Sequence, residues 1–534
     1  MKLYFTGETP RLPESNSRRD RTAGVPNLPD SLLDRHRARV LRPGDAPLAA
    51  GSPTPGSTIY RYNRVLMCHR LLGNDEQLAE LDAALAVHGM RIDREHLGKV
   101  PHDKRMRRAR VTLGERATPD TVDAWRVLQT LRGAVSGGRC SQDVLKRLRL
   151  EHLLVGSALQ GAGAAWVGTE RTGSPGSGGP FENGGPAGYT YPSRTPVDMV
   201  LPMPSRRPLE ALTGKRRPVI AVLDSGVTPA HPAFDISDRQ EQRDTFITVD
   251  SKLQELLANE ADPESPHIEG PWDSMDTDGS LLGEVTSHFG HGTFISGVIR
   301  QLAPDAQVRS IRVMQNDGIV YEHECLGALT ALADEVERAR NGDDSADPVD
   351  IVSLSFGYVD EDPDDQVHGA LRDAIGRLTS LGVPVIAAAG NFASNRPFYP
   401  AAFAAEPQPQ QAAPVISVGA LNPNETLAMF TNEGPWVSCY ATGASLVSTY
   451  PTYADGDASP SLANDHGTRY RESLDPDDFT SGYAIWSGTS FAAPIAAAKL
   501  ASAMIDNSDL ADLAPQDAQS VTHRVQSAIK AIGG

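Results

Sequence analysis

Three residues far apart in the chain have side chains that together can break an acyl bond. Asp224 ends an apolar run in Leu223-Asp224-Ser225-Gly226. His291 stands in Gly290-His291-Gly292-Thr293, ahead of an apolar segment. Ser490 stands in Ser487-Gly488-Thr489-Ser490-Phe491-Ala492-Ala493-Pro494, at the start of an Ala-rich helix. Singly, each has a commoner structural use as turn former, core histidine or helix cap. Together they supply a poor nucleophile, a base to take its proton, and a carboxylate to orient that base. Attack on a carbonyl also needs donors for the developing oxyanion. Asn391, closing Ala387-Ala388-Ala389-Gly390-Asn391, offers a side-chain amide, and the Ser490 backbone N–H offers a second donor.

The elements that must position these groups follow from pattern. Short apolar runs at 219–223, 308–313, 351–354, 383–388 and 415–418 have strand length, and helical segments at 325–340 and 367–381 separate several of them. Buried strands alternating with helices predict a mostly parallel sheet covered on both faces. In such a sheet the strand ends and helix starts gather at one edge, where distant residues can meet.

VIAVLDSGV, GHGTFISGVI, VSLSFG, VIAAAGN and SGTSFAAPIAAA occur in that order. On these motifs residues 218–534 resemble the subtilisin-like serine proteases, the subtilases. The resemblance implies a three-layer α/β/α domain and an endopeptidase acting on protein or peptide through an acyl-enzyme at Ser490. His291 would be the base and acid, Asp224 would orient it, and Asn391 would complete the oxyanion hole. It implies further that Ser353, Leu354, Ser355, Phe356 and Gly357 pair with extended substrate, and that Ala387, Ala388, Ala389 and Gly390 line the pocket for the residue before the cut. Phe294 stands where the family often has a second histidine. Between Val298 and Pro304 the chain is too short for the loop that holds calcium in many relatives. No metal ligand is therefore assigned and no cofactor is required; calcium is possible but not placed. The 67 positions from Asp224 to His291 include an acidic stretch with Glu255, Glu260, Asp262, Glu264, Glu269, Asp273, Asp276 and Asp278, read as a solvated loop. The polar stretch 452–479 reads as a rim or lid.

Charge divides the chain. Residues 1–217 hold 34 basic and 22 acidic residues, a net of +12, and residues 218–534 hold 16 and 46, a net of −30. Residues 1–56 read as a disordered or extended arm. Residues 57–160 follow the order strand, helix, strand, strand, helix, strand, a split-βαβ (ferredoxin-like) α+β unit. Its first helix covers Asp75 to Val87, and Thr118-Pro119-Asp120 reads as the start of its second. Residues 161–217 read as a Gly/Pro-rich linker. The unit resembles a subtilase prosegment in pattern, and opposite charge favours its docking in cis as an inhibitory or regulatory element. The expected self-cleavage lies in 171–217, with Lys215-Arg216-Arg217 as a candidate site. A nucleic-acid partner is not expected. The cluster Lys104-Arg105-Met106-Arg107-Arg108-Ala109-Arg110 has no interleaved aromatic platform. The competing readings are a catalytically silent scaffold, and an N-terminal module recruiting a protein substrate or nucleic acid.

The four cysteines, Cys68, Cys140, Cys325 and Cys439, are too scattered for a zinc ribbon or a disulfide framework. Neither a signal-peptide core nor an apolar run of membrane-spanning length is present, so the expectation is a cytoplasmic protein with no membrane partner, export without a signal being the alternative.

Overall fold

The five apolar runs form the middle of a nine-stranded sheet. The computed structural model describes all residues except 1, 13–23, 95–96, 98–105, 115–121, 159–193, 213–215, 276, 279–282, 344, 362–368, 408, 410, 457–458, 507–517 and 534. Across the sheet the strands are Leu3–Phe5, Cys439–Thr442, Val415–Leu421, Val385–Ala388, Ile351–Leu354, Val219–Asp224, Gln307–Arg312, Ile247–Val249 and Ile236–Asp238. All neighbours are parallel except the first pair. Successive residues face opposite ways, so each strand feeds two cores. Ile220, Val222, Ile386 and Val418 pack with Phe294, Ile295, Phe491 and Ala492. Ala221, Leu223, Val352 and Val385 pack on the other face with Leu326, Leu329, Leu332 and Ile375. Helices His291–Leu302 and Thr489–Asp506 lie on the first face, Glu322–Arg340 and Gly369–Ser380 on the second.

The described residues of the expected arm 1–56 are more structured than a free arm. Leu3–Phe5 runs antiparallel to Cys439–Thr442, pairing with backbone groups that an edge strand leaves open. Asp30–Arg35 is a helix, and Ala38–Leu41 pairs with Thr58–Cys68. Such short elements leave little periodicity to read.

From residue 58 the order is strand Thr58–Cys68, helix Asp75–Ala86, strands Met90–Asp93 and Met106–Leu113, helix Ala124–Ser136 and strand Leu148–Gly156, with short helices His69–Leu72 and Gln142–Lys146 between. The strands form an antiparallel sheet in the order 148–156, 58–68, 106–113, 90–93. Leu81, Leu85, Trp125, Leu128 and Leu131 close its own apolar cluster. The second helix is capped by Asp123, whose carboxylate accepts the Arg126 N–H at 3.2 Å; Thr118-Pro119-Asp120 lies outside the described residues.

Strand Leu148–Gly156 also leaves its own sheet. Residues 153–155 pair antiparallel with Ile319–Tyr321, and 155–156 with Phe356–Gly357. The end of the N-terminal region therefore lies as an extended segment between two strands of the C-terminal region.

The expected linker is only partly one. Residues 161–193 and 213–215 lie outside the described residues, but Thr195–Pro196 pairs with Tyr483–Trp486. Arg216 makes two bonds to Asp350, at 2.6 and 2.7 Å, and the buried Arg217 binds Asp244. Arg216 and Arg217 are thus tied into the fold, which is poor presentation for a cut. In the stretch 452–479, strands Ala463–His466 and Arg469–Glu472 form an exposed hairpin. Among the described residues no helix is long and apolar enough to cross a membrane.

Candidate active site

Asp224 is the last residue of its strand, and His291 and Ser490 each stand at the start of a helix, so all three reach the carboxyl edge of the sheet. Asp224 Oδ1 accepts from His291 Nδ1 at 2.6 Å and from the Ser225 N–H at 2.8 Å. The close approach needs a bare glycine: a Cβ on Gly292 would lie 2.1 Å from the Gly226 carbonyl oxygen. The His291 ring is fully buried against Trp486, Phe491 and His288, with centroids 5.5, 5.2 and 5.2 Å away. With Nδ1 turned to a carboxylate, Nε2 is the nitrogen left to take a proton. It is buried and makes no hydrogen bond.

Ser490 Oγ does not bond His291. It donates to the backbone carbonyl of Ser157, at 2.5 Å. The same carbonyl oxygen accepts the Ser490 N–H at 3.0 Å and the Asn391 Nδ2 at 2.6 Å. Three donors thus converge on one carbonyl at a helix N-terminus, where partial positive charge favours a developing oxyanion. The Asn391 amide is fixed from behind, because its Oδ1 accepts both the N–H and the hydroxyl of Thr489, at 2.9 and 2.8 Å. Gly488 leaves the space: a Cβ there would lie 2.5 Å from the Ser157 oxygen.

Of the other expected positions, Ser355, Phe356 and Gly357 meet the segment that carries this carbonyl. The Ser157 N–H donates to the Ser355 carbonyl at 2.9 Å, and Phe356 and Gly357 pair with Gly156 and Val155. Pro494 has no N–H for the Ser490 carbonyl four residues back; the Ser355 hydroxyl donates to that carbonyl instead, at 3.0 Å. Ser353 and Leu354 end the preceding buried strand, Ile351–Leu354, in the nine-stranded sheet. Ala387, Ala388 and Ala389 are fully buried, and the Gly390 N–H donates to Thr489 Oγ at 3.1 Å.

The acidic stretch is a solvated loop only in part: Glu255 and Glu269 are exposed, while Asp276 and the Asp278 side chain lie outside the described residues. Asp262 and Asp273 are buried, and Glu260 and Glu264 face arginines. Asp262 accepts from Arg61 at 2.7 Å and from Arg64 at 2.9 and 3.0 Å, and Glu264 accepts from Arg64 at 3.0 Å and Arg110 at 2.6 Å. The cations that meet Glu260, Asp262 and Glu264 are guanidinium groups of the N-terminal region, including Arg107 and Arg110 of the basic cluster, whose Arg108 donates to the Glu260 backbone carbonyl; Lys104 and Arg105 lie outside the described residues. Asp273 lies behind the His291 helix, accepting the Gly290 N–H at 2.8 Å and the Ser225 hydroxyl at 3.3 Å. Burial pushes its carboxyl up to about 7, against the pull of Arg312. Among the described residues no group of three or more His, Cys, Asp or Glu side chains is arranged to hold a metal ion.

Several contributors escaped the sequence reading. Gly156 and Ser157 end a strand whose pattern says nothing of a distant partner. Gly318 to Tyr321 is too short to read as a strand, although Asp317-Gly318 is a turn signal. His288 has an ordinary core-histidine spelling.

The sequence matches the profile of the Subtilase family over residues 215–529. It is 30% identical over 188 residues to Subtilisin BL of Lederbergia lenta, covering 33% of this chain and 60% of that protein. It is 27% identical over 230 residues to the Thermophilic serine proteinase of Bacillus sp. (strain AK1), covering 43% and 45%. The chain thus spans less than two thirds of the length of these curated relatives. A solved structure described as a lanthipeptide protease aligns at 16% identity and a TM-score of 0.37, over 61% of this chain and 90% of that one. With more than half of its length matched by the family profile, the chain belongs to the subtilase family.

Proposed function

We propose that the chain is a serine endopeptidase, that residues 57–160 are a ferredoxin-like, prosegment-like unit filling its cleft, and that it cuts itself between Ser157 and Ala158. The observation that carries this reading is the Ser157 carbonyl held by Ser490 Oγ, the Ser490 N–H and Asn391 Nδ2. His291 Nε2 takes the Ser490 hydroxyl proton as Oγ bonds to the Ser157 carbonyl carbon, and the oxyanion rests on Asn391 and the Ser490 N–H. Collapse expels the Ala158 amine, which takes the proton from His291, and water then releases the acyl group by the same steps in reverse. Asp224 orients His291 and balances its transient charge. Ser490 is fully buried beneath the N-terminal segment, so the uncut chain is closed to other substrates. The reading places the cut before, not within, the expected segment 171–217.

N-terminal sequencing and intact mass after incubation test this. Wild type should yield a new N-terminus at Ala158 while Ser490→Ala stays whole. Two identical intact chains, with no phosphonate adduct on Ser490 once the N-terminal region is displaced, would defeat it and favour the silent scaffold.

A further inference from the structure

The segment in the cleft is bare at one position only. Leu154, Val155 and Ser157 carry side chains, and Gly156 does not. Its backbone does not demand glycine, since Gly156 is not among the residues with positive φ. Space does. A Cβ on Gly156 would lie 2.5 Å from His288 Nε2, 2.6 Å from His288 Cδ2 and 3.1 Å from Met314 Cε.

The obstructing ring cannot swing away. His288 is fully buried, its backbone N–H donates to the Asn316 carbonyl at 2.7 Å, and its Nδ1 is 3.0 Å from the Ser287 hydroxyl. On its far side a Cβ at Gly318 would lie 2.3 Å from Nδ1, and the His291 ring stands edge-on at 5.2 Å. The imidazole fills a slot one ring thick between two glycines. Burial, with His291 and Arg194 nearby, holds its pKa well below the ordinary value, so it is a neutral wall.

Resting on the endopeptidase reading above, we infer that His288, backed by Met314, selects glycine at the second residue before the cut bond. The substrates are extended peptides with glycine there, followed by a small residue. The Ser157 side chain is buried, and its hydroxyl makes no hydrogen bond.

The test compares two octapeptides, Leu-Leu-Val-Gly-Ser-Ala-Leu-Gln and the same sequence with alanine for glycine, on self-processed enzyme separated from its severed N-terminal region. Overpacking a rigid wall should lower kcat/KM roughly 30-fold or more for the alanine peptide. In His288→Ala the ratio between the peptides should shrink to about threefold, whatever happens to the overall rate. A wild-type ratio near one, or an unchanged ratio in His288→Ala, overturns the inference and leaves the endopeptidase reading standing. A second readout needs no catalysis. In full-length Ser490→Ala, adding Gly156→Ala should speed hydrogen exchange at residues 155–157, and adding His288→Ala should restore protection. That pattern, with wild type freed of its N-terminal region cutting neither peptide, supports selection by His288 while refuting the endopeptidase reading; exchange indifferent to Gly156→Ala counts against His288 as the selector.

Discussion

The N-terminal region touches the rest of the chain in two chemically opposite ways. In the cleft, residues 153–157 are held by backbone: the Gly156 N–H to the Gly318 carbonyl at 2.8 Å, the Ser157 N–H to the Ser355 carbonyl at 2.9 Å, and the strand pairings on both sides. At the acidic stretch, side chains do the holding. Arg61 and Arg64, buried, converge on Asp262, with Glu151 and Glu264 completing the cluster. An extended peptide with glycine opposite His288 can replace the first set of bonds, because every residue but proline carries the same backbone donor and acceptor. No ordinary peptide can replace the second. A cut after Ser157 loosens only the cleft end, so the severed region should stay bound and continue to inhibit.

The strongest way to break the charged end is Asp262→Ala. It strips buried Arg61 and Arg64 of a shared partner and should cost about 3–5 kcal/mol, read by denaturant unfolding in the Ser490→Ala background. A loss below about 1 kcal/mol, the scale of an exposed pair, would mean that this cluster is not a main attachment. The mirror-image change is at the cleft. Asn391→Ala removes one oxyanion donor and should slow the appearance of the Ala158 N-terminus about 10²–10³-fold. Its effect on unfolding should be nearer 1–3 kcal/mol, from the Thr489 donors left without Asn391 Oδ1. Asp262→Ala slowing the cut as much as Asn391→Ala would erase the distinction.

The placement of Asp224, His291 and Ser490 is legible in the sequence where local rules fix geometry. A strand end followed by Asp-Ser-Gly, and helix starts at His291 and Ser490, put side chains at one edge of a parallel sheet, and the Asp224–His291 bond lies there. What the sequence hid was pairing between distant parts. Glu260, Asp262 and Glu264 read as water-facing because nothing local shows that Arg61, Arg64, Arg107 and Arg110 will cover them. The net charges of +12 and −30 pointed to attraction between the halves without naming the contact. Gly156 carries its meaning only once His288 stands opposite.

Acidity sharpens the contrast, because two aspartates of the same stretch are pushed in opposite directions. Burial opposes ionisation of Asp262, but Arg64 and Arg61 outweigh it and hold its carboxyl far below the usual range. Its stabilisation is present above about pH 4, the unfolded value, and is lost as pH falls toward the folded one. Asp273 has burial without an ion pair strong enough to offset it, and titrates near 7. Its folded pKa is raised, so stability is fullest below about pH 4 and falls as pH rises through about 7. The shift from 3.8 to about 7 corresponds to about 4 kcal/mol at most. Glu324, also pushed up to about 7 by burial, adds a slope of the same sign at the charged end. Asp273→Asn should therefore flatten part, not all, of the decline in unfolding free energy between pH 4.5 and 8. A variant curve parallel to wild type would show that Asp273 does not titrate in that window.

Salt should have the smallest effect and should act at one end only. Arg110 and Glu264 form a 2.6 Å pair with side chains 39% and 32% exposed, and Arg37 reaches the same carboxylate at 3.1 Å. Exposed enough to be screened, these pairs contribute about 0–1 kcal/mol each, and 1 M salt shortens the screening length to about 3 Å. The backbone bonds in the cleft carry no net charge and should not respond. Release of the severed N-terminal fragment, followed by size-exclusion chromatography after self-cleavage, should therefore quicken by about two- to fivefold between 0.1 and 1 M NaCl. Arg110→Ala should quicken release at low salt and blunt the salt response. If release is equally fast at both salt concentrations in wild type, the rim of the charged cluster does not hold the fragment, and the buried Arg61, Arg64 and Asp262 centre must retain it alone.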